Sequence, residues 1–385
     1  MAAAMPVRPA APLRPAVAML TTVDFWRPSS GHRARIGALV QHLALHVELT
    51  LVSPVAFEPD ADALIDRLAP GVRLHQLALP MRGQMRDALM AFAAYFRARP
   101  QQACIVQFLS LAWMRQAVPA GVLTLLDTHL VAGQHDRDVQ RIGAGPQGAA
   151  ITITDEQERQ QLQRFDRVLA ICQPDADTFI RWLGAERVLL VPHAQPLHAH
   201  PQRRVLRQLL MVGGDYAPNH EGLRWFLAEV WPRLAGRGLS FHVVGEVGPA
   251  IGLKSGNGVV VHGRVDDLAA CYAAADLCIN PVQHGGGLKI KTVEALAHGR
   301  PLVASSHGVR SLEAHGGRAF LVADEGAAFA AAIEHLIADP DEAVRLAQAG
   351  SALAAAQFGP EACYGPLLRC LLGLRGLRGL PGKEA

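Results

Sequence analysis

From residue 16 onward, short apolar runs alternate with longer segments of helical spacing. This is the pattern of parallel sheets whose crossover helices cover both faces. A first series of expected strands falls at residues 17–20, 47–52, 104–108, 122–126, 168–172 and 188–191. Between the first two, Ile36, Leu39, Val40 and Leu43 keep the i, i+3, i+4, i+7 spacing of a helix begun near Ser30. A second series begins at Gln208, with expected strands at 209–212, 241–244, 259–261, 277–280, 302–304 and 319–322. The stretch PHAQPLHAHPQRR, residues 192–204, separates the two and has no hydrophobic period, as a linker should. A chain of 385 residues, half of them hydrophobic, is also too long for one ordinary core. The expected fold is therefore α/β, with two doubly wound Rossmann-like domains. A loose tail at 1–15 would precede a first domain at 16–195 and a linker at 196–207. A second domain would occupy 208–358, followed by a C-terminal crossover helix at 359–373 and a glycine-rich basic tail at 374–385.

Charge and cysteine usage narrow the partners. The net charge is +3 and no element carries a dense basic stripe, which argues against nucleic acid. The six cysteines form no C-x-x-C pair and lie in apolar stretches, which fits a reducing compartment without structural zinc. The opening MAAAMPVRPAAPLRPAVAML has the composition of an export signal, but Pro6, Pro9, Pro12 and Pro15 interrupt any apolar helix. Nowhere do eighteen apolar residues run together. A cytoplasmic location is expected, with peripheral contact at a membrane surface left open.

The segment GGGLKIKTVEALAHGRPLV, residues 285–303, carries the chemistry. An expected strand runs into Pro281, then into Gly285, Gly286 and Gly287, then into a helix expected over 288–298. Glycines at that junction let backbone amides approach an anion, and the helix N-terminus adds partial positive charge. Lys289 and Lys291 fall in the first turn, where a cation opposes the helix dipole unless an anion compensates. Glu294, three residues after Lys291, could accept from ribose hydroxyls. The alternative is an exposed Lys291–Glu294 pair and a glycine turn of no further meaning. Gly299 and Pro301 then end the helix.

This run resembles the donor-binding signature of the group 1 glycosyltransferases, a retaining family of GT-B fold, in the subgroup reading Gly-Gly-Gly, spacer, Arg/Lys, spacer, Lys, two residues, Glu-Ala. LLMVGGDYAPNHEGLRWFLAEVWP and VHGRVDDLAACYAAADLCINPV resemble the opening and middle of the family's second domain, and ERQQLQRFDRVLAICQPD and VLLVPHAQP the end of its first. The resemblance implies two domains facing across a cleft. It also implies transfer of a hexosyl-type sugar, with retention, from a nucleotide-sugar co-substrate to a glycan or lipid-linked acceptor. Surface polysaccharide or glycoconjugate synthesis would be the setting, with no further cofactor and no metal. Catalytic roles would fall to His129, Lys291 and Glu294. Donor contacts would come from Gly31, Gly214, Asp215, Asn219, Arg264, Val265, Gly285, Gly286, Gly287, Leu288, Lys289, Lys291 and Glu294. Nucleobase contacts usually come from backbone near the HGRV segment, residues 262–265.

Two departures from that pattern bear on mechanism. Many members carry a second glutamate where this chain has Gly286, and an Arg and Lys just after the second domain's first strand, where this chain reads GGDYAPNHEG. Neutralising a diphosphate then falls on the glycine loop and its lysines. A nucleotide-sugar epimerase, or a non-catalytic nucleotide-sugar-binding subunit, are the competing readings. No carboxylate pair with separable acid and nucleophile roles stands out, which disfavours a two-carboxylate hydrolase.

Other signals weigh less. Gly143, Gly145 and Gly148 spell G-x-G-x-x-G but follow a polar stretch, not a strand. Asp175 and Asp177 sit where acids cap a helix. His193, His198 and His200 lack metal-ligand helical spacing and read as solvated linker. Without the resemblance, His129 would read as a paired buried histidine. Arg33 and Arg35 read as exposed solubilising charges, or as contacts to an acidic acceptor. Residues 81–95 could rest on a membrane surface or form a buried helix.

Overall fold

The computed structural model describes residues 14–27, 31–80, 84–141, 153–198 and 200–376. The expected tails, most of them, and the Gly143–Gly145–Gly148 run lie outside these residues. Two all-parallel sheets organise the chain. The first has seven strands, β1 (Ala16–Leu20), β2 (Glu48–Ser53), β3 (Arg73–Gln76), β4 (Ala103–Gln107), β5 (Leu123–Asp127), β6 (Arg167–Ala170) and β7 (Val188–Leu190), in the order β3-β2-β1-β4-β5-β6-β7. The second has six, β8 (Gln208–Val212), β9 (Ser240–Val244), β10 (Val259–Gly263), β11 (Leu277–Asn280), β12 (Leu302–Ala304) and β13 (Leu321–Val322), in the order β10-β9-β8-β11-β12-β13. In each sheet the strand order reverses direction beside the first strand, which opens a crevice at the carboxyl ends where ligands of such sheets bind.

The alternation of apolar runs fixes these strands because both faces of each sheet are covered, so inner strands such as Ala103–Gln107 are buried at every residue. The register in β1 is set the same way: Val17 and Met19 enter one core while Ala18 and Leu20 enter another. β3 was not expected. It is an edge strand, RLHQ, with no fully buried residue, so it presents no apolar run to read. Two expected strands stop short: Phe108 leaves β4 at φ 68°, and Cys172 caps the Gln173–Leu183 helix instead of ending β6.

After β13 the chain passes through helices Gly326–Ala338 and Pro340–Phe358, then returns to the first domain as the helix Pro360–Leu372. Tyr364 of that helix packs at a tilt against His42, ring centroids 5.0 Å apart, and its hydroxyl accepts from the Ala194 amide at 3.4 Å. The Gln195 amide donates to the Phe358 carbonyl at 2.8 Å, so the outgoing and returning segments lie side by side.

Three expectations are corrected here. The segment read as a solvated linker is packed: His193 is 2 % exposed and takes a hydrogen bond from Gln195 at 2.6 Å, while His198 and His200 lie against His298. Arg35 is fully buried rather than solubilising; its Nη2 donates to Asp127 Oδ1 at 2.6 Å and its Nη1 to the Val191 carbonyl at 2.8 Å. Arg33 pairs with Asp24. Asp175 is no simple cap, since it is buried and meets Arg310 from the other domain at 3.3 Å. Asp177 takes a hydrogen bond from Gln173. The Met85–Ala98 helix buries Ala88, Phe92, Tyr95 and Phe96 on one face and leaves Met85 and Met90 exposed. Among the described residues, no helix is long and apolar enough to cross a membrane.

Candidate active site

β11 ends at Asn280, whose Nδ2 donates to Thr292 Oγ1 at 2.9 Å and to the Gly308 carbonyl at 3.1 Å. That side chain ties the strand to the helix Ile290–Ala297 across the glycine loop. The helix starts two residues later than expected, at Ile290, with Lys289 as its N-cap. Gly285 and Gly287 hold φ of 98° and 68°, a region where a β-carbon is strained. A Cβ on Gly287 would also meet the His129 carbonyl at 2.9 Å, so glycine there lets the two domains touch. Gly286 faces Leu130 and His135 of the first domain. Among the described residues, the amides of Gly286, Gly287 and Leu288 donate to no protein acceptor, which leaves them available to an anion at the helix start.

The two lysines divide. Lys289 Nζ turns back and donates to the carbonyls of Gly285 (2.5 Å) and Gly286 (3.1 Å), joining His307 Nε2 on the Gly285 oxygen at 2.6 Å. It staples the loop. Lys291 Nζ donates to Asn219 Oδ1 at 2.5 Å, and Asn219 Nδ2 in turn donates to the Gly214 carbonyl at 3.0 Å. This chain links the loop after β8, through the Ala217–Trp225 helix, to the first turn of the Ile290–Ala297 helix. Burial, then the neighbouring Lys289 charge, bring the Lys291 ammonium down to about 7, with Glu294 opposing. A cation so destabilised is one that a bound anion would restore. Glu294 accepts from the Tyr272 hydroxyl at 2.8 Å, and burial raises its carboxyl above the usual range.

The first domain brings two groups to the same place. Gly31 opens the helix Gly31–Ala44, and a Cβ there would meet Ile290 Cδ1 at 2.9 Å, so the N-termini of the two helices face each other. His129 follows β5 at φ 65°. Its ring stacks on Phe108 at 4.1 Å, and its Nε2 lies 2.9 Å from Gln107 Oε1 and 3.6 Å from Asp127 Oδ2. Gln107 Nε2 turns to Met19 Sδ, which assigns Oε1 to the histidine and the proton to His129 Nε2. Burial holds the imidazole down to about 3, neutral at physiological pH, with Nδ1 as an acceptor.

Gly31, His129, Asn219 and residues 285–294 thus converge, while three other expected contacts lie differently. Asp215 is mostly exposed and pairs with His220 at 2.9 Å. Arg264 is exposed just beyond β10, and Val265 is half-buried there. A cavity of about 270 Å³ between β8–β10 and the Leu268–Ala274 helix, lined by Leu210, His242, His262 and Cys271, includes none of the converging residues. Sequence reading missed Tyr272, His307 and the bridges that close the cleft, Arg310 to Asp175 and Tyr216 to His135 (3.3 Å). None belongs to a local motif.

Two parallel-sheet domains facing each other with this loop between them define the GT-B glycosyltransferase fold. Residues 207–339 match the family model described as Glycosyl transferases group 1. Solved structures of similar fold include sucrose-phosphate synthase from Thermosynechococcus elongatus, 19% identical with TM-score 0.69, covering 94% of this chain and 100% of that one. Anabaena HepE in complex with UDP is also similar, 14% identical with TM-score 0.69, covering 93% and 100%. A curated relative, an uncharacterized 44.6 kDa protein in the cps region of Klebsiella pneumoniae, is 24% identical over 188 residues. That match spans 45% of this chain and 47% of the relative, about half the length of each.

Proposed function

We propose that this chain transfers a glycosyl group from a nucleotide-sugar donor to a glycan or lipid-linked acceptor, with retention at the transferred carbon. The observation that carries the reading is the half-buried Lys291, bonded to Asn219 beside unpartnered loop amides and Glu294, at the point where the two domains meet. The amides of Gly286, Gly287 and Leu288 with Lys291 take the diphosphate, and Glu294 takes the ribose hydroxyls. Donors fixed around a leaving group in a water-excluded site lower the barrier by several kcal/mol. The acceptor oxygen bonds to the anomeric carbon on the face from which the diphosphate departs, the bond to the diphosphate oxygen breaks, and the acceptor proton passes to that oxygen. Neutral His129 accepts a hydrogen bond from a sugar hydroxyl at Nδ1. No side chain at Gly286 reaches the transferred sugar, so His129 and the backbone must orient it.

UDP-sugars are the first donors to test, because the similarly folded HepE is also described in complex with UDP-glucose. The setting in surface polysaccharide synthesis draws support from the relative in a cps region. The assay follows labelled sugar from donor to acceptor extracts. Lys291→Ala and Glu294→Ala are expected to lose about a hundredfold or more in turnover while still folding. Near-normal transfer by both variants would sink the assignment, and isomerised donor without transfer would point to an epimerase.

A further inference from the structure

His198, His200 and His298 come together where the segment leaving the first domain crosses the C-terminus of the Ile290–Ala297 helix. Each offers one ring nitrogen, and these nitrogens all lie within 4.8 Å of one another. His298 caps the helix, the His198 amide donates to the Ala297 carbonyl at 2.9 Å, and Gln202 Nε2 donates to the Gly299 carbonyl at 3.2 Å. The crossing segment is therefore held in place by one backbone bond and one side-chain bond that are independent of the rings. From these placements we propose that the three histidines form a binding site for a divalent transition-metal ion of the zinc class, clamping the interdomain segment to the helix that carries the donor loop. This goes beyond glycosyl transfer and does not depend on it.

The chemistry favours that ion class. Three imidazoles without a carboxylate or thiolate suit zinc, nickel or copper rather than magnesium or calcium, and a fourth position remains for water. The C-terminal end of a helix carries partial negative charge, which favours a cation at His298. Arg300 lies two residues beyond His298, and its guanidinium acts electrostatically on both His298 and His200. The same guanidinium opposes a divalent ion, and the nitrogens with the helix end must outweigh it. The rings now lie parallel, His198 on His298 at 3.9 Å and 4°, with His200 Nε2 2.9 Å from His298 Nδ1. Lone pairs lie in the ring planes, so taking an ion requires the half-buried His198 and His200 to turn towards a common point.

The test titrates chelator-treated full-length protein with zinc chloride by calorimetry, beside the His198→Ala/His200→Ala variant. One site per chain is expected, weakened at least tenfold in the double variant, with bound cobalt showing ligand-field bands that the variant lacks. His200→Gln keeps a polar side chain of similar reach and supplies the same comparison should the double variant fail to fold. Equal zinc binding by the parent and a folded variant, or no binding by the parent, overturns the site. Neither readout requires turnover, so failure here is distinct from failure of the transferase reading.

Discussion

The carbonyl oxygen of His129 occupies the space a β-carbon on Gly287 would need, at 2.9 Å. The donor loop of one domain thereby rests against the histidine of the other, and loop conformation and domain closure become one variable. Gly287→Ala is expected to cost about 1–3 kcal/mol through its left-handed backbone alone. It should also push the domains apart and weaken UDP binding. Gly286 lacks the positive φ, and its added Cβ would sit at an ordinary 3.5 Å from Leu130. Gly286→Ala should therefore change stability by only about 0.5 kcal/mol. Urea denaturation of both variants checks the contrast.

Lys291 predicts a pH dependence of binding. Its ammonium titrates near 7 in the free protein, and a bound diphosphate favours the charged form. Above pH 7 the anion must bind together with a proton, so its affinity should fall by up to about tenfold per pH unit until the raised pKa of the complex is reached. Calorimetry with UDP between pH 6.5 and 9 reads the slope, and Lys291→Met should flatten it. Stability of the free protein moves the other way. With the folded pKa depressed, the unfolded chain binds more protons, so this lysine's contribution to stability rises from pH 7 towards 10.5.

Arg35 and Asp127 form a fully buried ion pair beneath His129, anchored to the Val191 carbonyl at the exit from the first domain. Arg35→Ala leaves a carboxylate uncompensated and should lose about 3–5 kcal/mol. Replacing both partners, as Arg35→Met with Asp127→Leu, should recover most of that loss. If instead the double variant is stable but turnover stays low, the pair positions His129 as well as supporting the fold. Thermal melts beside transfer kinetics separate the two.

Tyr272→Phe removes the hydroxyl that donates to Glu294 at 2.8 Å. A lost hydrogen bond to a charged group is worth about 1.5–3 kcal/mol. The carboxyl, already raised by burial, should rise further, and nucleotide binding should weaken at neutral pH. Melting temperature and UDP titration of this variant check both.

Much of this architecture could be read from the residues because buried parallel strands are continuous apolar runs, as at Leu277–Asn280. The glycine loop was legible for a similar reason: backbone at positive φ and a cross-domain contact both demand glycine, and glycine is visible as a letter. What escaped depends on pairs distant along the chain. Arg35 looks like a surface arginine until Asp127, 92 positions on, is placed beside it. His200 looks solvated until His298 arrives from the other side of a domain, 98 positions on. β3 escaped because an edge strand with half-exposed residues leaves no periodic mark. The family resemblance supplied roles for Glu294 and His129 that local chemistry alone left open.

The chain crosses between its domains twice, and the two crossings are bonded to each other where Gln195 meets Phe358. Two tethers bonded side by side put the pivot of any cleft opening at the Gln195–Phe358 contact, and a distance between labels flanking Gly31 and Ile290, which touch across the cleft, is the one that lengthens as it opens.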